Sequence, residues 1–264
     1  MSDADKHRAG IFLHRGDLAR ARASYERAVE QDRAGSDHAA LAATLGNLGN
    51  VCAMMGDHDA ALRCYREVLG LQRETDDRRG AGQTLVNLGN LQADAGHPEE
   101  ARAHYLEALD LLEPLGDRQA LAVLHANLAL QQSAAGWFDD AIARFRLALD
   151  LHRAVGNEEG LAVTYGQLGK TFLLAGRAIE AERCLNNASE HFIKLGDEPG
   201  EAGALRLLAD LYEQRGDLGS AVRCIEHVVQ IARRYTLPQR PTDEARLLRL
   251  QTAASHDAAR KEPA

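Results

Sequence analysis

Aromatic side chains make up only 5% of this 264-residue sequence, and proline occurs just six times, in turns or near the C-terminus. Alanine and leucine dominate instead, which favours helix over sheet throughout. Four cysteines are too few for a disulfide scaffold of this length. No apolar run approaches the roughly 20 residues that span a bilayer, and the opening MSDADKHRAG lacks a signal peptide's apolar core. The expected compartment is therefore the cytoplasm, with no membrane partner. Positive charge is in deficit, with a formal net charge of −8, so no basic surface dominates to displace counterions from phosphates. Nucleic acid is not an expected partner; only Arg233, Arg234, Arg240, Arg246 and Arg249 form a modestly basic stretch. Hydrophobic and charged fractions of 45% and 27% are ordinary for a folded chain.

Chemical motifs are missing as well. There is no nucleophile elbow, P-loop or dinucleotide fingerprint, no H-E-x-x-H, and no C-x-x-C pair. GAGQTLVNLG is glycine-rich but follows a helix rather than a strand. Cys64, Cys184 and Cys224 share one register because the sequence repeats, and they read as packing residues. His125 falls where leucines stand elsewhere and reads as an interior histidine. Trp137 and Phe138 lie in a helix–helix turn, which they would seal, or from which they would dock a second partner. No catalytic residue, cofactor or metal is expected.

What is present is a period. Gly16, Gly56, Gly96, Gly136, Gly176 and Gly216 stand forty residues apart without slippage. Ala21, Ala61, Ala101, Ala141, Ala181 and Ala221 follow each by five residues, and Tyr25, Tyr65, Tyr105, Phe145, Leu185 and Ile225 by nine. A second turn recurs through Asp37, Asp77, Asp117, Asn157 and Asp197. One register held this long predicts a stacked repeat array. Each period divides into helix A and helix B; in the second, these are expected over 39–55 and about 58–74, with Asp57 and Asp77 as N-caps. The two Arg-Gly-Asp tripeptides, at 15–17 and 215–217, are explained by the recurrent turn.

The phrase carried by Leu45, Leu48, Gly49, Gly56, Asp57, Ala61, Tyr65, Val68 and Leu69 resembles the tetratricopeptide repeat. The forty-residue length and the twice-occurring NLGN look most like Pins/LGN-type adaptors, with kinesin light chains more distant. The resemblance implies an all-α, right-handed α-solenoid of about six helix-turn-helix repeats plus a C-terminal capping helix. The array is expected over residues 1–236 and the capping helix and tail over 237–264, with Leu247 and Leu248 in register with Leu207 and Leu208. It also implies a concave groove lined by A helices that binds a protein or peptide partner.

At 100° per residue, positions 43, 46, 47, 50 and 54 of helix A form a stripe apart from the packing face. Repeat by repeat, this stripe supplies the candidate binding residues Asn47, Asn50, Gln83, Asn87, Asn90, Asn127, Leu130, Gln167, Lys170, Arg206 and Asp210. The stripe is amide-rich first, apolar next and charged last. A carboxamide both donates and accepts, as a peptide group does. Helices about 10 Å apart would let an amide ladder grip an extended chain, which rises about 3.3 Å per residue, at every third residue. Small residues such as Ala43 and Gly46 leave room for that chain. The competing role is structural: the asparagines would bond between helices and hold the stack. The deeper Asn50 and Asn90 lean toward binding more than Asn47 does. Where the adaptors carry arginine four residues before the NLGN asparagine, this chain has Ala43, Gln83, Val123, Val163 and Gly203, so an acidic ligand does not carry over. Two other classes stay open. One is a self-assembling homo-oligomer, motivated by a basic C-terminal helix on an acidic body; the other is a receptor module for a peptide signal.

Overall fold

The computed structural model describes residues 2–261. The first residue and the last three of the expected array and tail lie outside the described residues. All regular structure among them is helical. The A helices are α1 (Ser2–His14), α3 (His38–Met54), α5 (Arg78–Asp94), α7 (Arg118–Ala134), α9 (Glu158–Leu174) and α11 (Glu198–Gln214). The B helices are α2 (Leu18–Arg33), α4 (His58–Glu74), α6 (Pro98–Leu112), α8 (Phe138–Ala154), α10 (Ala178–Leu195) and α12 (Leu218–Tyr235), and α13 (Arg240–Lys261) closes the chain. The fold class is the expected all-α helical-repeat solenoid. Two compact units divide within α7, at residues 1–127 and 128–264. In the first unit α1 through α6 each pack against the next helix, and in the second α8 through α13 do the same.

The turns repeat because their chemistry repeats. After α3 the chain enters the left-handed region at Gly56, φ +75°, where a side chain would be strained. The Asp57 N–H then donates back to the Cys52 carbonyl at 2.9 Å, and the Asp57 carboxylate accepts from the Ala60 N–H. That N-cap satisfies one of the free donors at the start of α4. Asp77 caps α5 in the same manner, accepting from the Gly80 N–H at 2.9 Å.

Packing follows the forty-residue columns. All six recurrent alanines, Ala21 through Ala221, are completely buried, and the large residues from Tyr25 to Ile225, one turn further along the same helices, are buried as well. A second pair of columns was not evident from periodicity alone. Thr44 Oγ1 donates to Asp32 at 2.6 Å, and forty residues on Thr84 Oγ1 donates to Gln72 Oε1 at 2.9 Å. The next pair is Leu112 with Leu124, and the fifth, Phe192 with Ala204, lies within one apolar cluster. Polar stands with polar and apolar with apolar.

The fourth pair, His152 and Thr164, is polar on both sides but leaves the buried histidine's Nδ1 without a hydrogen bond. Burial holds the imidazole below its ordinary 6.5, so the unfolded chain takes up the proton first. The stability this group supports is full above about pH 6.5 and is lost as pH falls through the window beneath it. Leucine, already used in this column at Leu112, removes the unsatisfied nitrogen, which costs about 1–3 kcal/mol where it stays buried. His152→Leu is expected to raise the thermal midpoint by a few degrees at pH 7 and to flatten the decline between pH 6.5 and 5, measured by scanning calorimetry. An unchanged acid slope in the variant would assign it to another group.

The last helix corrects an expectation. α11 begins at residue 198 and α13 at 240, an offset of 42 rather than 40, because the turn through Thr236 is two residues longer. Leu248 consequently does not take the place of Leu208; it is 68% exposed. Leu250, 42 residues after Leu208, is fully buried against Ala209, Ala221, Ile225 and Val229, with Leu247 partly buried beside it. α13 does cover the apolar face of α12, in a shifted register.

Candidate functional site: the inner stripe of the A helices

In the first unit, α3 and α5 bury one face and expose most of the stripe expected from their sequence, although Val86 is buried. Ala43, Asn47 and Asn50 are exposed on α3; on α5, Gln83 and Asn90 are exposed and Asn87 is half-buried. A cavity of about 550 Å³ opens between α3, α4 and α5. Asn47, Asn50, Gln83 and Asn87 line it, over a floor that includes Gly46, Val68 and Leu71. A second cavity, about 400 Å³, lies beside α5 and shares Gln83 and Asn87 with the first. The Arg79–Asp117 ion pair, at 2.7 Å, stands at its edge. Four of the eleven candidate residues thus come together around one hollow. The contribution of α4 to its back wall is what the stripe alone did not reveal.

Hydrogen bonding separates the asparagines into two groups. Asn50 Oδ1 accepts from the Tyr65 hydroxyl at 2.7 Å, and Asn90 Oδ1 accepts from the Tyr105 hydroxyl at 2.7 Å. Asn90 also accepts from Asn127 Nδ2 at 2.7 Å. Burial pushes the Tyr65 phenol up to about 12 and raises that of Tyr105 as well, so both remain donors. The signal for this was present in the second and third repeats, where asparagine at the 50 column accompanies tyrosine at the 65 column; Leu130, Lys170 and Asp210 stand there where Phe145, Leu185 and Ile225 replace the tyrosine, and the first repeat pairs Tyr25 with Gly10. Asn50 and Asn90 therefore hold the repeat together, while Asn47 and Asn87 have no side-chain hydrogen bond among the described residues.

The second unit presents a different stripe. Leu130 and Lys170 are exposed, and Gln167 is half-buried. Arg206 is occupied within the fold, clasping the buried Asp243 of α13 through Nε at 3.0 Å and Nη2 at 2.7 Å. Asp210 pairs with Arg246 at 2.6 Å. The candidate binding residues Arg206 and Asp210 are thus docking contacts of α13. The whole basic stretch is answered in the same way: Arg233 and Arg240 reach Glu244, Arg234 reaches Glu198, and Arg246 and Arg249 reach Glu213. The charge contrast that motivated self-assembly is thus met inside the chain.

The cysteines are free thiols, and burial pushes Cys64 and Cys184 up to about 11, away from thiolate chemistry. Among the described residues no His, Cys, Asp and Glu gather into a metal-binding group, and no helix is long and apolar enough to cross a membrane. His125 is half-buried, and Trp137 is 49% exposed at its turn.

No curated protein sequence matches the chain significantly. Among solved structures, BtubC (BKLC) from P. vanneervenii aligns with a TM-score of 0.74 at 23% identity, over 83% of this chain and 92% of that one. The signal transduction ATPase with numerous domains from Pyrococcus horikoshii, which has a tetratricopeptide repeat sensor, aligns with a TM-score of 0.79 at 15% identity. That alignment covers 96% of this chain and only 39% of the ATPase. The Rap conjugation gene regulator of the plasmid pLS20, in complex with a Phr peptide, gives a TM-score of 0.68 at 16% identity over 98% of this chain and 74% of that one. At these identities the likeness is one of fold. The profile of the tetratricopeptide repeat matches residues 1–74, 61–113, 80–154 and 160–234, and with the register and turns described above this makes the chain a member of the tetratricopeptide repeat family.

Proposed function

We propose that this protein is a non-catalytic, cytoplasmic interaction scaffold that binds an extended peptide segment of a partner protein along the inner stripe of its first unit. One observation carries the reading. Asn47 and Asn87 sit mid-helix, where asparagine costs about 0.5 kcal/mol relative to better helix formers, and among the described residues neither side chain has a hydrogen bond. Both line the 550 Å³ cavity, with donors and acceptors that match a peptide backbone. Gln83 supplies a third carboxamide from the same wall. A Rap regulator of related fold in complex with a Phr peptide supports the reading.

Peptides selected from a random phage-displayed library against the full chain provide the test, with affinity read by fluorescence anisotropy. Asn47→Ala with Asn87→Ala is expected to weaken the selected peptides at least tenfold while the thermal midpoint stays level or rises slightly. Asn90→Ala, by contrast, should lower the midpoint, because Tyr105 loses its acceptor. Unchanged affinity in the Asn47/Asn87 variant would sink the assignment. A second copy of the chain is the competing occupant; light scattering that shows dimers in the wild type and monomers in the variant would identify it.

A further inference from the structure

Gly46 and Gly49 are three residues apart on α3 and serve opposite ends. A Cβ at Gly49 would lie 2.7 Å from Tyr65 Cε1 and 3.2 Å from Cys64 Cβ, closer than carbon atoms approach without displacement. Packing explains that glycine. A Cβ at Gly46 would meet nothing within 4 Å. Its backbone is helical, so neither a turn nor a close approach requires it, and glycine is a much poorer helix former than alanine. Forty and eighty residues on, the same column holds Val86, which is buried, and Ala126. Only in the second repeat of this unit is the position emptied, and there it opens into the cavity that Asn47 and Asn87 line.

The hollow beside Gly46 has an apolar back wall, with Ala42, Val68 and Leu71 among its lining. Two titratable groups border it. Asp77 is engaged in capping α5, and His38 lies 4.0 Å from Glu74. The remaining polar lining is amide and hydroxyl. An anionic side chain entering here would shed its water and meet the Asp77 carboxylate, and a cationic one would find as counter-charge only that carboxylate, already accepting from the Gly80 N–H at the border of the hollow, so both are disfavoured. A bulky apolar group would gain in proportion to the surface it takes out of water.

Resting on the reading of this unit as a peptide-binding surface, we infer that the hollow over Gly46 is an anchor pocket for one bulky, uncharged side chain of the bound segment. Asn47 and Asn87 hold the backbone on either side of that residue, and Gly46 sets which residue is accepted.

The same phage-displayed library tests this. The selected peptides are expected to share one bulky aliphatic or aromatic residue at a fixed position, and their affinity should change little between 50 and 500 mM salt. Gly46→Leu, which fills the hollow from below, is expected to weaken them at least tenfold, and Gly46→Ala several-fold. Both variants should unfold at or above the wild-type temperature, which a purely structural glycine would not allow. If Gly46→Leu lowers the midpoint, the affinity of Gly46→Ala decides the matter. Peptides that need Asn47 and Asn87 but bind the Gly46 variants as tightly as wild type would overturn the anchor and leave the peptide surface standing, as would a shared acidic or basic residue. Failure to select any peptide that depends on Asn47 and Asn87 would overturn both.

Discussion

Gly89→Val is expected to cost about 3 kcal/mol and to lower the thermal midpoint by roughly 6–12 °C. A side chain at this position runs into the ring of Tyr105, which is buried and cannot swing aside freely. Its hydroxyl is tied to Asn90, which in turn holds Asn127. Displacing the ring therefore costs overpacking strain of about 1–3 kcal/mol and about 1 kcal/mol for the hydrogen bond broken. Valine's branched Cβ adds a further penalty within a helix. Gly46→Ala, one repeat earlier on the open side of its helix, should shift stability in the opposite direction. A Gly89→Val protein as stable as wild type would mean that close approach to Tyr105 is not the reason for that glycine.

The contrast between these glycines marks how far the sequence was legible. The period located the turns, the boundaries of α3 and α4 to within a residue, and the buried columns, because each rests on a local rule applied at a fixed interval. α3 at His38–Met54 and α4 at His58–Glu74 fall where caps and apolar spacing predict. The exposed stripe was legible for the same reason, since 100° per residue is fixed by helix geometry. What each stripe residue does was less legible, because that depends on which column of a neighbouring helix lies opposite. Asn50 and Asn90, deeper in the stripe, lean toward binding by position, yet they are the acceptors for Tyr65 and Tyr105. Matching columns against each other, Tyr with Asn and Thr with Asp or Gln, would have found these pairs from the sequence. The α13 register could not have been found that way. The starts of α3, α5, α7, α9 and α11 keep the forty-residue interval and only that of α13 departs from it, by two residues, so strict periodicity places Leu248 where Leu250 belongs.

Phe145→Ala is expected to have the largest effect of any single change, about 3–5 kcal/mol. Phe145 is completely buried in α8, in the column that Tyr65 and Tyr105 fill elsewhere, and it lacks even a hydroxyl to lead it toward solvent. Leu250→Ala removes a side chain equally buried, for which a cost of about 2–5 kcal/mol would be usual. The two should nevertheless differ in kind. In a repeat array each element is stabilised chiefly by its neighbours, so a lesion propagates as far as neighbouring interfaces depend on it. α13 packs on α12 at the end of the chain, and losing Leu250 lets it open alone. α8 packs on α9, which packs on α10, so the Phe145 lesion weakens a run of interfaces in the second unit. Amide hydrogen exchange separates the outcomes: Leu250→Ala should speed exchange in α13 with little change in α9 and α10, whereas Phe145→Ala should speed it across α8, α9 and α10 together. Equal acceleration throughout the second unit in both variants would show that α13 is cooperative with the array and belongs to its core rather than serving as a detachable cap.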